Sequence, residues 1–179
     1  MKLANAALRS SITFLVLVLC FIISGCDNIG SMQKFKSDEG RFSIMVPSKP
    51  EQQNQTLNTP IGILEMKTFV IDKPNIAYIM AYVDYPDEVI DNSDPEAILD
   101  GARDGMLNKA DVKLINEEEI SYGEDPAREI QYTVKGKLGK GHIVILLSGR
   151  RLYQVGAVGL NAIFPQDVVQ HYIDSFEIW

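Results

Sequence analysis

The run Gly141-His142-Ile143-Val144-Ile145-Leu146-Leu147-Ser148-Gly149-Arg150-Arg151-Leu152-Tyr153 decides the fold. Ile143 to Leu147 is apolar without a break, and it is bounded by a turn at a strand's length, too short for a helix. An unbroken apolar strand is buried on both faces, so its sheet needs cover on both sides. Ser148-Gly149-Arg150 has turn composition and sends the chain into a second strand, Arg151 to Val158. Working back, Ala127 to Val134 and Lys113 to Tyr122 read as two more strands, joined by Gly123-Glu124-Asp125-Pro126. Strands linked by short turns predict a meander, and therefore a mostly antiparallel sheet. Ile76 to Val83 is a further continuous apolar run.

Two helices are predicted as the cover. Ser93-Asp94-Pro95-Glu96 places cap residues, a proline at the first helical position and an acid in the first turn, with the helix running to about Lys109. Ile98, Ala102 and Met106 fall four apart on it, and Ala97, Gly101 and Gly105 form a flat strip expected to let the helix approach a sheet closely. The second helix starts at Pro165, with Val168, Val169, Tyr172, Ile173 and Phe176 inward and Asp167, Gln170, His171 and Asp174 in water. Ahead of these, Phe42, Ile44 and Val46 alternate in a strand stopped by Pro47. Glu51 to Leu57 is polar throughout and suits a solvated edge strand. Pro60-Ile61-Gly62 turns it into Ile63 to Ile71, and Phe176 to Trp179 reads as a short closing strand.

The N-terminus has another logic. Met1, Lys2 and Arg9 precede an apolar stretch from Ile12 to Ile23, broken only by Thr13 and Cys20. That is too short to cross about 30 Å of hydrocarbon, and the order of charge, apolar run and small residues is that of an export signal. Its ending, Ile23-Ser24-Gly25-Cys26, resembles the bacterial lipobox. The resemblance implies a signal peptide over residues 1–25, an acylated Cys26 as first mature residue, and attachment to the cell membrane facing the periplasm or the outside. Asp27 resembles the enteric signal for retention at the inner membrane. Residues 26–38 then read as a lipidated polar tether, and residues 39–179 as one domain.

Composition narrows the function. Loss of the signal removes Lys2 and Arg9 and moves the net charge from −7 to −9. An acidic chain without basic runs is a poor ligand for phosphate backbones, so no nucleic acid is expected. Attachment to a membrane would rest on the lipid, since the same charge repels anionic headgroups. The only cysteines are Cys20 and Cys26, which leaves the domain without disulfides, thiol catalysis or Cys-ligated zinc.

The order of elements resembles the PsbP-like superfamily. The residues that carry the likeness are Gly40-Arg41-Phe42 at the first strand, Arg128-Glu129-Ile130-Gln131-Tyr132-Thr133-Val134, Gly141-His142, Gly149-Arg150-Arg151-Leu152-Tyr153, and Asp174-Ser175-Phe176-Glu177-Ile178. The resemblance implies an α+β fold, an α/β/α sandwich around a mostly antiparallel sheet with helices on both faces. It also implies binding and assembly roles, without a catalytic signature. Photosystem members follow the first strand with Tyr-Pro and a nearby Trp. This chain has Val46-Pro47-Ser48-Lys49-Pro50, with Trp179 its only tryptophan, and is more similar to the uncharacterised exported bacterial branch.

Several side chains are candidates for chemistry. Asp167, His171 and Asp174 share one helix face and could hold a divalent ion, or simply form a solvated acidic face. His142 opens the apolar strand, where a hydrogen bond to a neighbouring loop is the plainer account. Glu117-Glu118-Glu119 with Glu124-Asp125 fits no EF-hand spacing, and neighbours on a strand point to opposite faces, so a solvated hairpin is expected. Ser148 lacks a nucleophile-elbow frame, and the glycines at 136, 139 and 141 lack a P-loop Ser or Thr. Lys137 and Lys140, with Arg150 and Arg151 at the hairpin's other end, are candidates for an acidic partner surface. Tyr78 and Tyr82 read as core. No enzymatic activity and no cofactor are expected. The reading is a membrane-anchored, non-enzymatic accessory or protein-binding module at the cell envelope, with a small-ligand or metal-binding envelope protein as the alternative.

Overall fold

The computed structural model describes residues 32–109, 112–134 and 138–179. The expected signal peptide over residues 1–25, Cys26, Asp27 and Lys137 lie outside them. The deciding run forms β8 (Gly139–Ser148) and β9 (Arg151–Leu160), joined by a tight turn in which Gly149 sits at φ +56°, a left-handed conformation that glycine adopts without strain. They are central to a seven-stranded sheet with β3 (Glu51–Thr59), β4 (Gly62–Lys73), β5 (Ile76–Asp84), β6 (Val112–Tyr122) and β7 (Asp125–Val134). The strand order is β3-β4-β5-β9-β8-β7-β6, and every pairing is antiparallel. The polar strand β3 is an exposed edge, as its composition predicts.

The first predicted strand takes a different partner. β2 (Phe42–Val46) stands in a separate three-stranded sheet between β1 (Gln33–Ser37) and the closing strand β10 (Glu177–Ile178). The tether expected over residues 26–38 therefore overlaps a strand. β1 is polar except for Phe35, whose ring packs 5.3 Å from Phe69 and 6.0 Å from Phe42; that aromatic and the buried Ser37, which accepts from the Gly40 amide, fix an otherwise largely exposed segment.

β8 shows why a continuous apolar run is needed. Val144 and Leu146 pack with Phe42, Ile44 and Val46 and with Val169, Tyr172 and Ile173 of the C-terminal helix Gln166–Asp174. Ile143, Ile145 and Leu147 pack instead with Ile98 and Leu99 of the helix Pro95–Lys109. A short helix not foreseen in the sequence, Asp87–Asp91, lies between β5 and that helix. In chain order the helices are α1 (Asp87–Asp91), α2 (Pro95–Lys109) and α3 (Gln166–Asp174). Among the described residues no helix is long and apolar enough to cross a membrane.

The glycine strip of α2 departs from expectation. Gly101 and Gly105 are exposed, and a Cβ built on either would meet nothing within 4 Å. They do not let the helix nestle against the sheet. They leave a space open.

Candidate functional site

That space is a concavity between α2 and the end of the sheet. The β3–β4 turn supplies Pro60 and Ile61, β4 supplies Leu64, and the chain after β5 supplies Tyr85 and Val89. Ala97, Ile98, Gly101 and Gly105 of α2 form the opposite wall around about 440 Å³. A second hollow of about 360 Å³ shares Thr59, Leu64, Tyr85, Gly101 and Gly105 and extends the first toward Met66, Met106 and Leu152. Together they make one apolar trough, within the size range of ligand and side-chain pockets. Burial pushes the Tyr85 phenol pKa up, so it stays a neutral donor there. Each glycine in a helix interior costs about 1 kcal/mol relative to alanine, and here no packing contact offsets it.

The predicted cationic patch is dispersed. Lys140 stands at the start of β8, while Arg150 and Arg151 stand about 27 Å along the strands at the far turn. Each is already engaged. Lys140 donates from Nζ to Gln166 Oε1 at 2.9 Å and lies over the Phe164 ring. Arg150 Nη1 pairs with Asp87 at 2.9 Å. Arg151 makes a two-pronged bond to Asp84, at 2.6 and 2.8 Å, donates to the Glu39 carbonyl, and stacks 4.5 Å from the Tyr82 ring. These cations hold strands and turns together, because a guanidinium in a fork geometry is worth more to a nearby carboxylate than to solvent.

The Arg151 bond holds the Asp84 carboxyl below its ordinary range. A carboxylate with a lowered folded-state pKa stabilises the fold above the unfolded value of 3.8, and that contribution is lost as pH falls through the lower folded value. Asp84→Asn is therefore expected to lower the thermal midpoint at neutral pH and to flatten the acid limb below about pH 4. An unchanged acid limb in a pH series of melting curves would remove Asp84 from the account.

The histidines separate. His171 is exposed on α3 with Asp167 and Asp174, and Asp174 accepts a hydrogen bond from Gln170. Among the described residues no three His, Cys, Asp or Glu side chains gather as a metal-holding group, so the Asp167–His171–Asp174 face is not assembled around an ion. His142 is 0% exposed. Lys140 donates to Gln166 Oε1, which leaves Gln166 Nε2 to donate to His142 Nδ1 at 3.1 Å. His142 Nε2–H then donates to Glu129 Oε1 at 2.5 Å. Both ring nitrogens are thus satisfied, and the histidine ties β7, β8 and α3 together.

The acidic triplet also does more than solvate a hairpin. Glu117 and Glu119 lie two apart on β6 and share a face, while Arg128 is paired with Glu119 across the strands. Arg128 Nη1 donates to Glu117 at 3.2 Å and Glu119 at 3.5 Å, and Nη2 pairs with Glu96 at 2.8 Å and Asp100 at 3.0 Å. Arg103 adds a second cation, to Asp100, Asp104 and Glu117. This network, which pins α2 to the sheet beside the trough, is invisible in the sequence because its members come from three elements.

No family model matches the chain, and comparison with curated proteins finds no match. Solved structures do. The chain superposes on the solution structure of cyanobacterial PsbP (CyanoP) from Synechocystis sp. PCC 6803 with a TM-score of 0.57, over 87% of this chain and 96% of that one. The fold is PsbP-like. At 11% identity the likeness is one of fold. LpqN, involved in cell envelope biogenesis of Mycobacterium tuberculosis, aligns at a TM-score of 0.47 and 16% identity, over 83% of this chain and 90% of that one. PA94 of Pseudomonas aeruginosa, a protein of unknown function, aligns at 0.40 and 11%, over 76% and 88%.

The residues that carry the resemblance are used to hold the PsbP-like fold. Arg128 centres the ion network. Gly141 has no room for a side chain, since a Cβ would fall 2.1 Å from the Tyr132 ring. Arg151 clamps Asp84, the Ser175 hydroxyl accepts from the Met45 amide at 3.0 Å, and Phe176 lies 5.5 Å from both Phe42 and Tyr153. Tyr78 and Tyr82 are core, as predicted. The trough residues were present in the sequence as a small-residue strip, but nothing there distinguished a strip that packs from one that stays open.

Proposed function

We propose that the protein is a lipoprotein anchored through Cys26 to the cell membrane, the inner membrane by virtue of Asp27, with its domain on the periplasmic or outer side. The domain is an α/β/α sandwich with helices on both faces of the long sheet. It works as a non-enzymatic accessory module that binds a protein partner at the envelope. The trough along Gly101 and Gly105 is the observation that carries this reading, because its apolar walls, one of them left open by the two glycines, fit a protruding apolar side chain or short segment of a partner. Anchoring raises the effective concentration of such a module near membrane partners. The small-ligand alternative uses the same trough, with a compact apolar molecule in place of the partner.

Filling the trough tests it. Gly105→Leu adds a side chain where nothing stands within 4 Å, and it removes a helix-interior glycine. The expected result is a thermal stability equal to or above wild type by up to about 1 kcal/mol, together with loss of partner capture. The assay is cross-linking in intact cells with mass spectrometry, run on wild type, Gly105→Leu and Cys26→Ser. A partner retained by Gly105→Leu would clear the trough of the role. A co-purifying small molecule lost in Gly105→Leu, with no partner in any sample, would move the reading to the ligand alternative. Labelled fatty acid on Cys26→Ser would overturn the anchor.

A further inference from the structure

We propose that β3 takes up an extended segment of a partner as an added strand, with uncharged aliphatic side chains at every second position turned toward the trough. The inference deepens, and rests on, the reading of the trough as a partner site.

The backbone of β3 makes the first part of the case. Pro60-Ile61 is a two-residue turn, and Thr59 and Gly62 are the paired residues that close it. A closing pair of this kind exchanges both backbone hydrogen bonds, and bonded pairs then alternate along an antiparallel ladder. Glu51, Gln53, Gln55, Leu57 and Thr59 therefore bond to β4. Gln52, Asn54, Thr56 and Asn58 turn their N–H and C=O groups to the open side. Among the described residues nothing else bonds these amides or carbonyls, since β3 ends the sheet. A row of unpaired donors and acceptors at strand spacing matches one chemistry, another extended backbone.

The opposite edge of the sheet is guarded, and this one is not. β6 carries a bulge between Leu114 and Asn116 and the run Glu117-Glu118-Glu119, both of which deter an added strand. β3 pairs with β4 over nine residues without a register shift, and it contains no proline, no lysine and one charge, Glu51.

The trough sets the side chains. Gln55, Leu57 and Thr59 of β3 form part of its lining. A strand added about 4.8 Å beyond β3 carries alternate side chains in the same row, at the mouth of the trough. No side chain lining the trough is charged, so a charge placed there would lose water without gaining a partner. The inward residues of the segment are therefore aliphatic. A second copy of β3 fits poorly, because it offers one apolar side chain, Leu57, in nine residues.

The probe is a phage library of random dodecapeptides, panned on the full chain in detergent micelles. The selected peptides are expected to alternate aliphatic and polar residues. Methylating a peptide nitrogen removes one donor, so a methyl scan along a selected peptide is expected to weaken binding about tenfold at every second position and little between them. Asn54→Pro removes one outward donor of β3 and no bond to β4, and is expected to weaken binding about tenfold with the melting temperature kept. If that variant unfolds, the methyl scan decides alone. Binding that falls with Gly105→Leu but ignores the methyl scan overturns strand addition and leaves the trough standing. A two-residue period in the scan with indifference to Gly105→Leu overturns the trough and leaves strand addition standing. A library that yields no alternating peptides overturns the proposal. Hydrogen exchange on the peptide-free chain examines the other occupants. Slow exchange at the Asn54 and Thr56 amides would mean that the edge is already covered, by a second copy in a protein that sediments as a dimer and by its own chain in a monomer, and either overturns the proposal.

Discussion

Gly156→Ala is expected to destabilise the domain by about 3 kcal/mol or more, the cost of forcing a methyl into a filled interior. A Cβ at this position of β9 would sit 2.2 Å from the His142 carbonyl oxygen and 2.6 Å from the Ile143 Cα. Both are backbone atoms of the neighbouring central strand, so no side chain can swing aside. Relief requires prising β8 from β9, where His142 is fully buried and Ile143 pairs directly with Gly156. The same substitution at Gly105 is expected to stabilise by up to about 1 kcal/mol, because its methyl meets open space. Urea denaturation of the two variants side by side measures the contrast. A cost below about 1 kcal/mol at Gly156 would mean that the β8–β9 ladder yields far more easily than close packing allows.

The second large effect is expected at Arg128. Its side chain is 8% exposed and answers four carboxylates. Arg128→Met keeps the stem and removes the charge, leaving Glu96, Asp100, Glu117 and Glu119 to repel one another with only Arg103 to answer them. Breaking a buried ion network from one side costs about 3–5 kcal/mol. The lower end applies here, because Glu119 is 78% exposed and Glu96 and Asp100 are about half exposed, so water takes up part of the loss. Adding Glu117→Gln to Arg128→Met is expected to return part of the stability, since Glu117 is the least exposed acid of the group, at 18%. A double-mutant cycle with no coupling between the two would disconnect them.

How much of this was legible varies with the physics. The central strands could be read because burial on both faces leaves a local trace, five apolar residues in succession from Ile143 to Leu147. Helix α2 could be read because Asp94 and Pro95 announce its start within a few residues. Two strands of the small sheet, β2 and β10, could be read as strands, but not their pairing, because they lie at opposite ends of the chain, and not β1, which shows one apolar residue in five. The sites follow the same division. That Glu117 and Glu119 share a face follows from the two-residue period of a strand, but that Arg128 faces them depends on register. His142 was expected to open the strand and bond to a loop; it is the fourth residue of β8, and its partners Glu129 and Gln166 come from a neighbouring strand and a later helix. For Gly101 and Gly105 the composition was visible and its meaning was not, since a missing side chain looks the same whether something else fills the space or nothing does.

The closing of the small sheet sets the order in which the molecule can assemble. Ser43 and Glu177 are paired neighbours 134 positions apart, and Phe176, one residue earlier, fills the aromatic cluster around Phe42. A chain that emerges from its N-terminus, from a ribosome or through a membrane channel, holds Phe42, Ile44 and Val46 without their final cover until nearly the last residue has appeared. Contacts of such long sequence separation are slow to form, so the native state is reached late. For the export proposed above that delay would be useful: the polypeptide would stay unfolded enough to be threaded and would lock shut only once its tail had arrived.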